Sequence, residues 1–139
     1  MRKLILLFII ALGLFISCEK DSDDDFTHLK ISETSSKEED NQVLEELYQE
    51  IDNQSQMYDC DNVEKWNYTP IGYKPCGGGP THYIAYSSSL DTEKFLKMVS
   101  YYTAQQETYV LKWDIVSDCL PVASPKGIEC IDGKPEFTY

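Results

Sequence analysis

Residues 91–113 read DTEKFLKMVSYYTAQQETYVLKW, and this stretch has the clearest structural pattern in the chain. Apolar side chains recur every three or four residues, which places them on one stripe of a helix. Asp91 suits an N-cap, and Glu93 and Lys97 have the four-residue spacing of a stabilising helical ion pair. We therefore predict a helix over residues 91–113. Its buried stripe comprises Phe95, Met98, Val99, Tyr102, Tyr109 and Val110.

An earlier stretch, residues 41–57, has the same periodicity and predicts a first helix. Glutamates occupy the side opposite the apolar stripe, as expected for a helix with one face in water. Asp40 or Asn41 could cap its N-terminus. The apolar stripe comprises Val43, Leu44, Leu47 and Ile51.

Short β patterns lie between and after the helices. Residues 66–73 alternate and are broken by a proline and a glycine, and residues 83–87 form a second strand candidate. Residues 128–131 and 136–139 flank Asp132-Gly133, which is a two-residue hairpin signal, and residues 115–116 could form a further short strand. The predicted fold is one α+β domain, with two helices packed on a small antiparallel sheet.

The N-terminus has the parts of a secretory signal peptide. Arg2 and Lys3 precede an uncharged apolar stretch, residues 4–16, which is shorter than the roughly 20 residues that span a bilayer as a helix. Ser17-Cys18 at the cut site resembles the lipobox of bacterial lipoproteins. The resemblance implies that residues 1–17 are removed and that Cys18 carries acyl chains such as palmitate, which anchor the chain to a membrane.

The stretch after Cys18 is strongly acidic. Residues 19–50 hold 12 of the 24 acidic residues in a chain of net charge −12. We predict that residues 18–41 form a lipidated, disordered tether, because they have too little apolar content to offset their ordering entropy. Their beginning also resembles the acidic export signal of Bacteroidetes surface lipoproteins, which implies a bacterial outer-membrane location facing the medium. No basic patch is visible, so we expect no nucleic-acid partner.

Four cysteines fall in the predicted folded domain, residues 42–139. They are Cys60, Cys76, Cys119 and Cys130. An even number in an exported chain predicts two disulfides, and the sequence does not choose among the three pairings. We favour Cys60–Cys130 with Cys76–Cys119. This pairing would link each of the two loops that precede a long predicted element to the C-terminal part of the domain, after the second predicted helix. The spacing does not match a structural zinc site, and we expect neither a metal nor a cofactor.

The densest candidate site is the stretch of residues 66–87. Tyrosines supply large, rigid, polar-tipped contact surfaces, so an aromatic patch around residues 76–86 is one interpretation, and burial of these rings in the core is the other. The glycines 77–79 are more typical of a tight turn than of a phosphate loop, because no lysine and serine or threonine follow them. The candidate binding residues are Tyr73, His82, Tyr83 and Tyr86.

Residues 59–134 contain a Cys-Gly-Gly-Pro and Tyr-Ser set, here Cys76-Gly77-Gly78, Pro80 and Tyr86-Ser87, followed by Ser117-Asp118-Cys119. In these motifs the segment resembles a group of small, flavobacterial-type lipoproteins of Bacteroidetes. This chain departs from it by one additional glycine, Gly79, which lengthens the turn. The group has no assigned activity, and the resemblance implies a disulfide-bonded module of the cell envelope.

Three functions are compatible with these features. The first is a surface-anchored, non-enzymatic binding or inhibitor-like module with a protein or glycan partner in the envelope. The second is an envelope hydrolase in which His82 acts with an acid or with one of Ser87, Ser88 and Ser89, although the GxSxG elbow is absent. The third is a structural component of the outer membrane. We favour the first, and we expect no catalytic residue.

Overall fold

The structure, a computed structural model, describes residues 25–139. The predicted signal peptide (1–17), Cys18 and the start of the predicted tether lie outside the described residues. The fold class is α+β, as predicted. The elements are α1 (Lys37–Ser55), β1 (Trp66–Ile71), β2 (His82–Ser87), α2 (Thr92–Lys112), β3 (Gly127–Ile131) and β4 (Lys134–Thr138), with a short 3-10 helix, Val63–Lys65, before β1.

Helix α2 agrees with its prediction almost to the residue. The Asp91 side chain caps it by accepting a hydrogen bond from the backbone N–H of Lys94 at 3.1 Å. The predicted pair of Lys97 and Glu93 is formed, with Nζ and Oε1 3.3 Å apart. The predicted stripe is buried except for Tyr109, which is half-buried.

Helix α1 begins four residues earlier than predicted. Its N-cap is Ser36, whose hydroxyl accepts from the N–H of Glu39, while the Glu39 carboxylate accepts from the N–H of Ser36 at 2.7 Å. This reciprocal capping box satisfies two backbone donors that the helix leaves unpaired. The predicted caps, Asp40 and Asn41, are therefore wrong, and Asp40 is fully buried in the first turn.

The segment before α1 is packed on the domain. Phe26 and Ile31 are buried in the core, the N–H of Ile31 donates to Oε1 of Gln105 at 2.8 Å, and the Tyr101 hydroxyl donates to the carbonyl of Thr27 at 3.2 Å. The prediction of a disordered tether is therefore wrong for residues 26–41. Isolated apolar residues in a polar stretch carry no periodic signal, yet they find partners on α2.

The strands form two separate two-stranded antiparallel sheets, where the sequence predicted a single small sheet. In the first, β1 and β2 pair from Trp66↔Ser87 to Ile71↔His82. In the second, β3 and β4 form the predicted hairpin, whose turn residues Asp132 and Gly133 both have positive φ. The predicted strand at residues 115–116 is wrong, since residues 115–126 are irregular.

The first sheet lies between the helices and the hairpin. Its inner face places Ile71, Ile84 and Tyr86 in the core formed with α1 and α2. On the opposite face, the ring of Tyr68 lies 6.0 Å from that of Tyr83 and 5.9 Å from that of Phe137 in β4. The hairpin therefore covers the face of the first sheet that the helices leave open.

Two disulfides are present, with the pairing that the sequence analysis favoured. Cys60–Cys130 links the segment after α1 to β3, and Cys76–Cys119 links the glycine-rich loop to the segment after α2. Cys60 is buried, whereas Cys76 and Cys119 are both exposed.

Candidate functional site

Two adjacent clefts lie on either side of a pair of side chains, Tyr48 of α1 and His82 of β2. The first has a volume of about 470 Å³ and lies between α1, α2 and the loop after β1. We call it the tyrosine cleft, since its lining includes Tyr48, Tyr73, Tyr102 and Tyr109. The second, about 430 Å³, lies between the C-terminal half of α1, β2 and β4. We call it the edge cleft. Tyr48 and His82 line both clefts.

The hydrogen bonds of His82 assign its tautomer. The Thr81 hydroxyl donates to the carbonyl of Ile71 at 3.1 Å, so its oxygen accepts from Nδ1–H of His82 at 3.0 Å. Nε2 is then the acceptor for the Tyr48 hydroxyl at 3.2 Å. Burial lowers the pKa of His82 and raises that of Tyr48, on which the nearby Asp52 charge acts in the same direction. Both side chains are therefore neutral at pH 7.

The loop after β1 is held against α2 by backbone donors. The N–H of Gly72 donates to the Thr103 hydroxyl at 3.1 Å, and the N–H of Tyr73 donates to Oε1 of Gln106 at 2.7 Å. Gly72 has φ +85°, and a Cβ there would collide with the Thr81 side chain and lie 2.6 Å from the Gln106 oxygen. Only glycine fits this position, which orients Tyr73 towards the cleft.

Tyr102 is the most buried of the cleft tyrosines, at 7 % exposure. Burial raises its pKa to about 12, and the neighbouring Tyr48 and Glu45 contribute in the same direction. Within residues 25–139 its hydroxyl has no hydrogen-bond partner. Every fully buried polar side-chain atom in these residues has a partner, so the Tyr102 hydroxyl is not fully buried. It retains access to the cleft that Tyr102 lines. The result is a protonated hydroxyl at the wall of a largely apolar cavity.

The tyrosine cleft has little free charge. Its lining by residues 25–139 includes Glu45 and one lysine, Lys74, which is already bound. Its Nζ donates to Oδ1 of Asp118 at 3.2 Å and to the carbonyl of Leu120 at 2.8 Å. The other polar groups of the lining are uncharged: tyrosine, threonine and serine hydroxyls, the ring of His82, and the amides of Asn41 and Gln106. Nε2 of Gln106 has no partner in the described part of the chain. Such a surface suits a neutral ligand with hydrogen-bonding groups.

Three of the four predicted binding residues lie at the clefts. Tyr73 lines the tyrosine cleft, Tyr83 lines the edge cleft, and His82 lines both. Tyr86 is a wrong prediction, because it is 8 % exposed and its ring packs 5.1 Å from that of Phe95 in the core. Alternation along β2 could have revealed this, since Tyr86 shares a face with Ile84.

Sequence reasoning missed the helical residues of the cleft. The helical periodicity predicts Tyr102 and Tyr109 in the buried stripe of α2, and it predicts no role for Tyr48. For the cleft residues of α2, the sequence offers only the helical spacing of Tyr102, Gln106 and Tyr109. This spacing cannot distinguish a buried face from a cleft wall. Tyr102 serves both, with its ring in the core and its hydroxyl in the cleft.

The described residues do not assemble a serine–histidine–acid arrangement. The hydrogen-bond partners of His82 are Tyr48 and Thr81. Ser87 lies at the other end of β2 and is 2 % exposed, with its hydroxyl accepting from the N–H of Ser89. Both ring nitrogens of His82 are engaged by these two hydroxyls, so neither is positioned to take a proton from a serine.

Comparison with known proteins identifies no relative for this chain: no family model matches it, and neither a curated protein nor a solved structure gives a significant match. Among residues 25–139 there is no group of histidine, cysteine or acidic side chains arranged to hold a metal ion. In the same residues no helix is both long and apolar enough to cross a membrane.

Proposed function

We propose that this protein is a non-enzymatic binding module that takes a neutral, hydroxyl-bearing ligand, such as a glycan, in the tyrosine cleft. The observation that carries the proposal is the Tyr102 hydroxyl, which belongs to a 7 % exposed residue and has no hydrogen-bond partner among residues 25–139. Leaving such a group unpaired when water is displaced costs about 1–3 kcal/mol. A ligand that supplies the missing hydrogen bond is therefore favoured over one that does not.

The other groups of the cleft support the same ligand chemistry. Tyr73 and Tyr109 add hydroxyls that can donate or accept, and the Gln106 amide adds a donor. The cation of Lys74 is bound to Asp118, so an anionic ligand would meet Glu45 without a free positive charge. Rigid tyrosine rings offer apolar contact at a small entropy cost, which suits the faces of sugar rings.

We also propose that Cys18 is acylated and that the lipid holds the module at the outer-membrane surface. The support is the basic start, the short apolar stretch and Ser17-Cys18. In a bacterial host fed labelled palmitate, we expect label in the wild-type chain and none in a Cys18→Ser variant. Label retained by Cys18→Ser would contradict the proposal, and Cys76→Ser is the matched control, which should keep the label.

The binding proposal is tested with Tyr102→Phe. We expect at least one oligosaccharide in a panel of malto-, manno-, xylo- and cello-hexaose to bind the wild type, and the variant to bind it about tenfold more weakly, since one hydrogen bond to a buried group is lost. Isothermal titration calorimetry measures both affinities. Tyr86→Phe is the matched control, because it removes a tyrosine hydroxyl outside both clefts.

The free energy of unfolding separates binding from folding in this experiment. We expect Tyr102→Phe to change it by no more than about 0.5 kcal/mol, because the hydroxyl loses no hydrogen bond to the described part of the chain. If no neutral oligosaccharide binds the wild type, or if Tyr102→Phe binds as tightly as Tyr86→Phe, the tyrosine cleft is not a glycan site.

A further inference from the structure

The edge cleft lies along an unpaired strand edge. Its lining includes four consecutive residues of β2, His82, Tyr83, Ile84 and Ala85. Successive side chains of a strand point to opposite faces of the sheet, so a cavity that touches all four lies beside the strand. The other edge of β2 is paired with β1. The cleft therefore runs along the open edge of β2 for about 10 Å, at roughly 3.3 Å per residue.

The hydrogen-bond phase of the sheet shows which backbone groups face the cleft. The N–H of Ser88 donates to the carbonyl of Lys65 at 2.7 Å, which continues the register of β1 and β2 by one pair. Bonded pairs alternate in an antiparallel ladder, so His82, Ile84 and Tyr86 point towards β1. The N–H and C=O groups of Tyr83 and Ala85 point away from it.

These outward groups have no partner within residues 25–139, neither in the backbone nor in a side chain. The opposite strand supports the same phase, because Pro70, which pairs with Tyr83, has no N–H and so fits an outward-facing position. The open edge of β2 thus offers two N–H and two C=O groups in the spacing that another strand would use.

The walls of the edge cleft carry unpaired negative charge. Among residues 25–139, its lining holds three acidic side chains, Asp52, Asp59 and Glu136, and one lysine, Lys134. None of the four forms a salt bridge within the described part of the chain. The chain's own residues 19–25 are acidic, so they do not complement this charge. A partner with basic side chains complements the negative charge of the cleft.

We propose that the open edge of β2 binds an extended peptide segment that carries a lysine or arginine. The segment adds to the sheet as a third strand through the backbone of Tyr83 and Ala85. Its basic side chain lies among Asp52, Asp59 and Glu136, and these carboxylates make the site select basic peptides over acidic ones. This proposal does not rest on ligand binding in the tyrosine cleft.

The test uses the full-length chain in detergent micelles and two heptapeptides, one of alternating valine and lysine and one with glutamate in place of lysine. We expect only the lysine peptide to bind. It should slow amide hydrogen exchange at Tyr83 and Ala85, which exchange fast in the free protein. The amide of Ile84 is bonded to β1 and is the internal control.

Two variants distinguish backbone pairing from charge. Ala85→Pro removes an outward N–H without touching the β1 ladder, and we expect at least a tenfold loss of affinity, whereas Ala85→Ser keeps the N–H and the binding. Asp52→Asn combined with Glu136→Gln should weaken the lysine peptide about tenfold and abolish discrimination against the glutamate peptide.

Several results would overturn the proposal. They are failure of the lysine peptide to bind at millimolar concentration, equal binding of the glutamate peptide, and binding that leaves the Tyr83 and Ala85 amides unprotected. Protection that grows with protein concentration in the absence of peptide would instead assign the edge to a second copy of the chain. If Ala85→Pro unfolds, the exchange measurement on the wild type alone decides.

Discussion

At the scale of single residues, His82 shows how the clefts impose a protonation state. Its ring accepts from Tyr48 and donates to Thr81, and burial lowers its pKa below the usual 6.5. With the ring neutral, the Tyr48 hydroxyl donates to Nε2, and a charged ring would require this hydroxyl to turn and accept instead. The pair is thus a neutral wall shared by the two clefts.

This depressed pKa makes the stability depend on pH. Below about pH 6.5 the unfolded chain takes up a proton at His82 that the folded chain does not bind. We therefore expect the free energy of unfolding to fall as the pH drops from 6.5 towards the folded-state pKa of His82, and His82→Gln to remove this part of the slope. Urea titrations across this range and an NMR titration of the ring measure it. A ring pKa at or above 6.5 would contradict the prediction.

Tyr86 and Tyr102 show what residue type alone cannot reveal. Both are tyrosines in or near predicted elements, but Tyr86 lies with its ring on Phe95 and Tyr102 has its hydroxyl in a cleft. The alternation of β2 assigns Tyr86 to the core, whereas the position of Tyr102 depends on how far α1 and the loop after β1 stand from α2. That distance is set by tertiary packing.

At the scale of elements, a buried ion pair joins the two helices. Lys112 in the last turn of α2 donates to Oδ2 of Asp40 in the first turn of α1 at 2.6 Å. Nε1 of Trp113 donates to the same oxygen at 2.9 Å, and the Ser35 hydroxyl donates to Oδ1. Asp40 is fully buried, while the Lys112 side chain is 19 % exposed.

This arrangement predicts a large effect of breaking one partner. Lys112→Met leaves the Asp40 carboxylate buried without its cation, and we expect a loss of about 3 kcal/mol in the free energy of unfolding at pH 7. Lys97→Met is the matched control, because its pair with Glu93 is exposed and should be worth less than about 0.5 kcal/mol. Urea unfolding measures the free energy of unfolding of both variants. Equal losses would show that the pair of Lys112 and Asp40 does not hold the two helices together.

The same pair gives an acid-sensitive contribution. Burial alone would raise the pKa of Asp40, but hydrogen bonds from Lys112, Ser35 and Trp113 outweigh it and lower the pKa. The stabilisation is thus present above the ordinary aspartate pKa of about 3.9 and is lost as the pH falls through the lower folded-state value. Lys112→Met should lack this acid transition.

The elements also show which parts of the fold are local. The apolar stripe, the cap and the ion pair of α2 each join residues that are close in sequence. The Asp132-Gly133 turn is also local. The sequence therefore predicts these features correctly. The start of α1 is marked by the local capping box of Ser36 and Glu39, but the burial of Asp40 depends on its pairing with Lys112, which lies 72 residues further along the chain. No local pattern records that distance, and Asp40 therefore resembled a tether residue.

At the scale of the whole molecule, the hairpin of β3 and β4 is the part with the least core. None of its residues is fully buried, and it rests on the first sheet mainly through Tyr68 and Phe137. Two further links hold it to the domain. Cys60–Cys130 ties β3 to the segment after α1, and the N–H of Cys60 donates to the carbonyl of Gly133 at 2.8 Å.

The hairpin should therefore depend on Cys60–Cys130 far more than the helices do. In a Cys60→Ser, Cys130→Ser variant we expect fast amide exchange throughout β3 and β4, while Phe95 and Met98 in α2 stay protected because their packing is intact. The loss of global stability should be about 2–5 kcal/mol. Removing the exposed bridge in a Cys76→Ser, Cys119→Ser variant should leave the hairpin amides protected. If amide exchange instead becomes faster in β3, β4 and α2 together, the molecule unfolds as one unit. The edge cleft, one wall of which is β4, would then not depend selectively on this bridge.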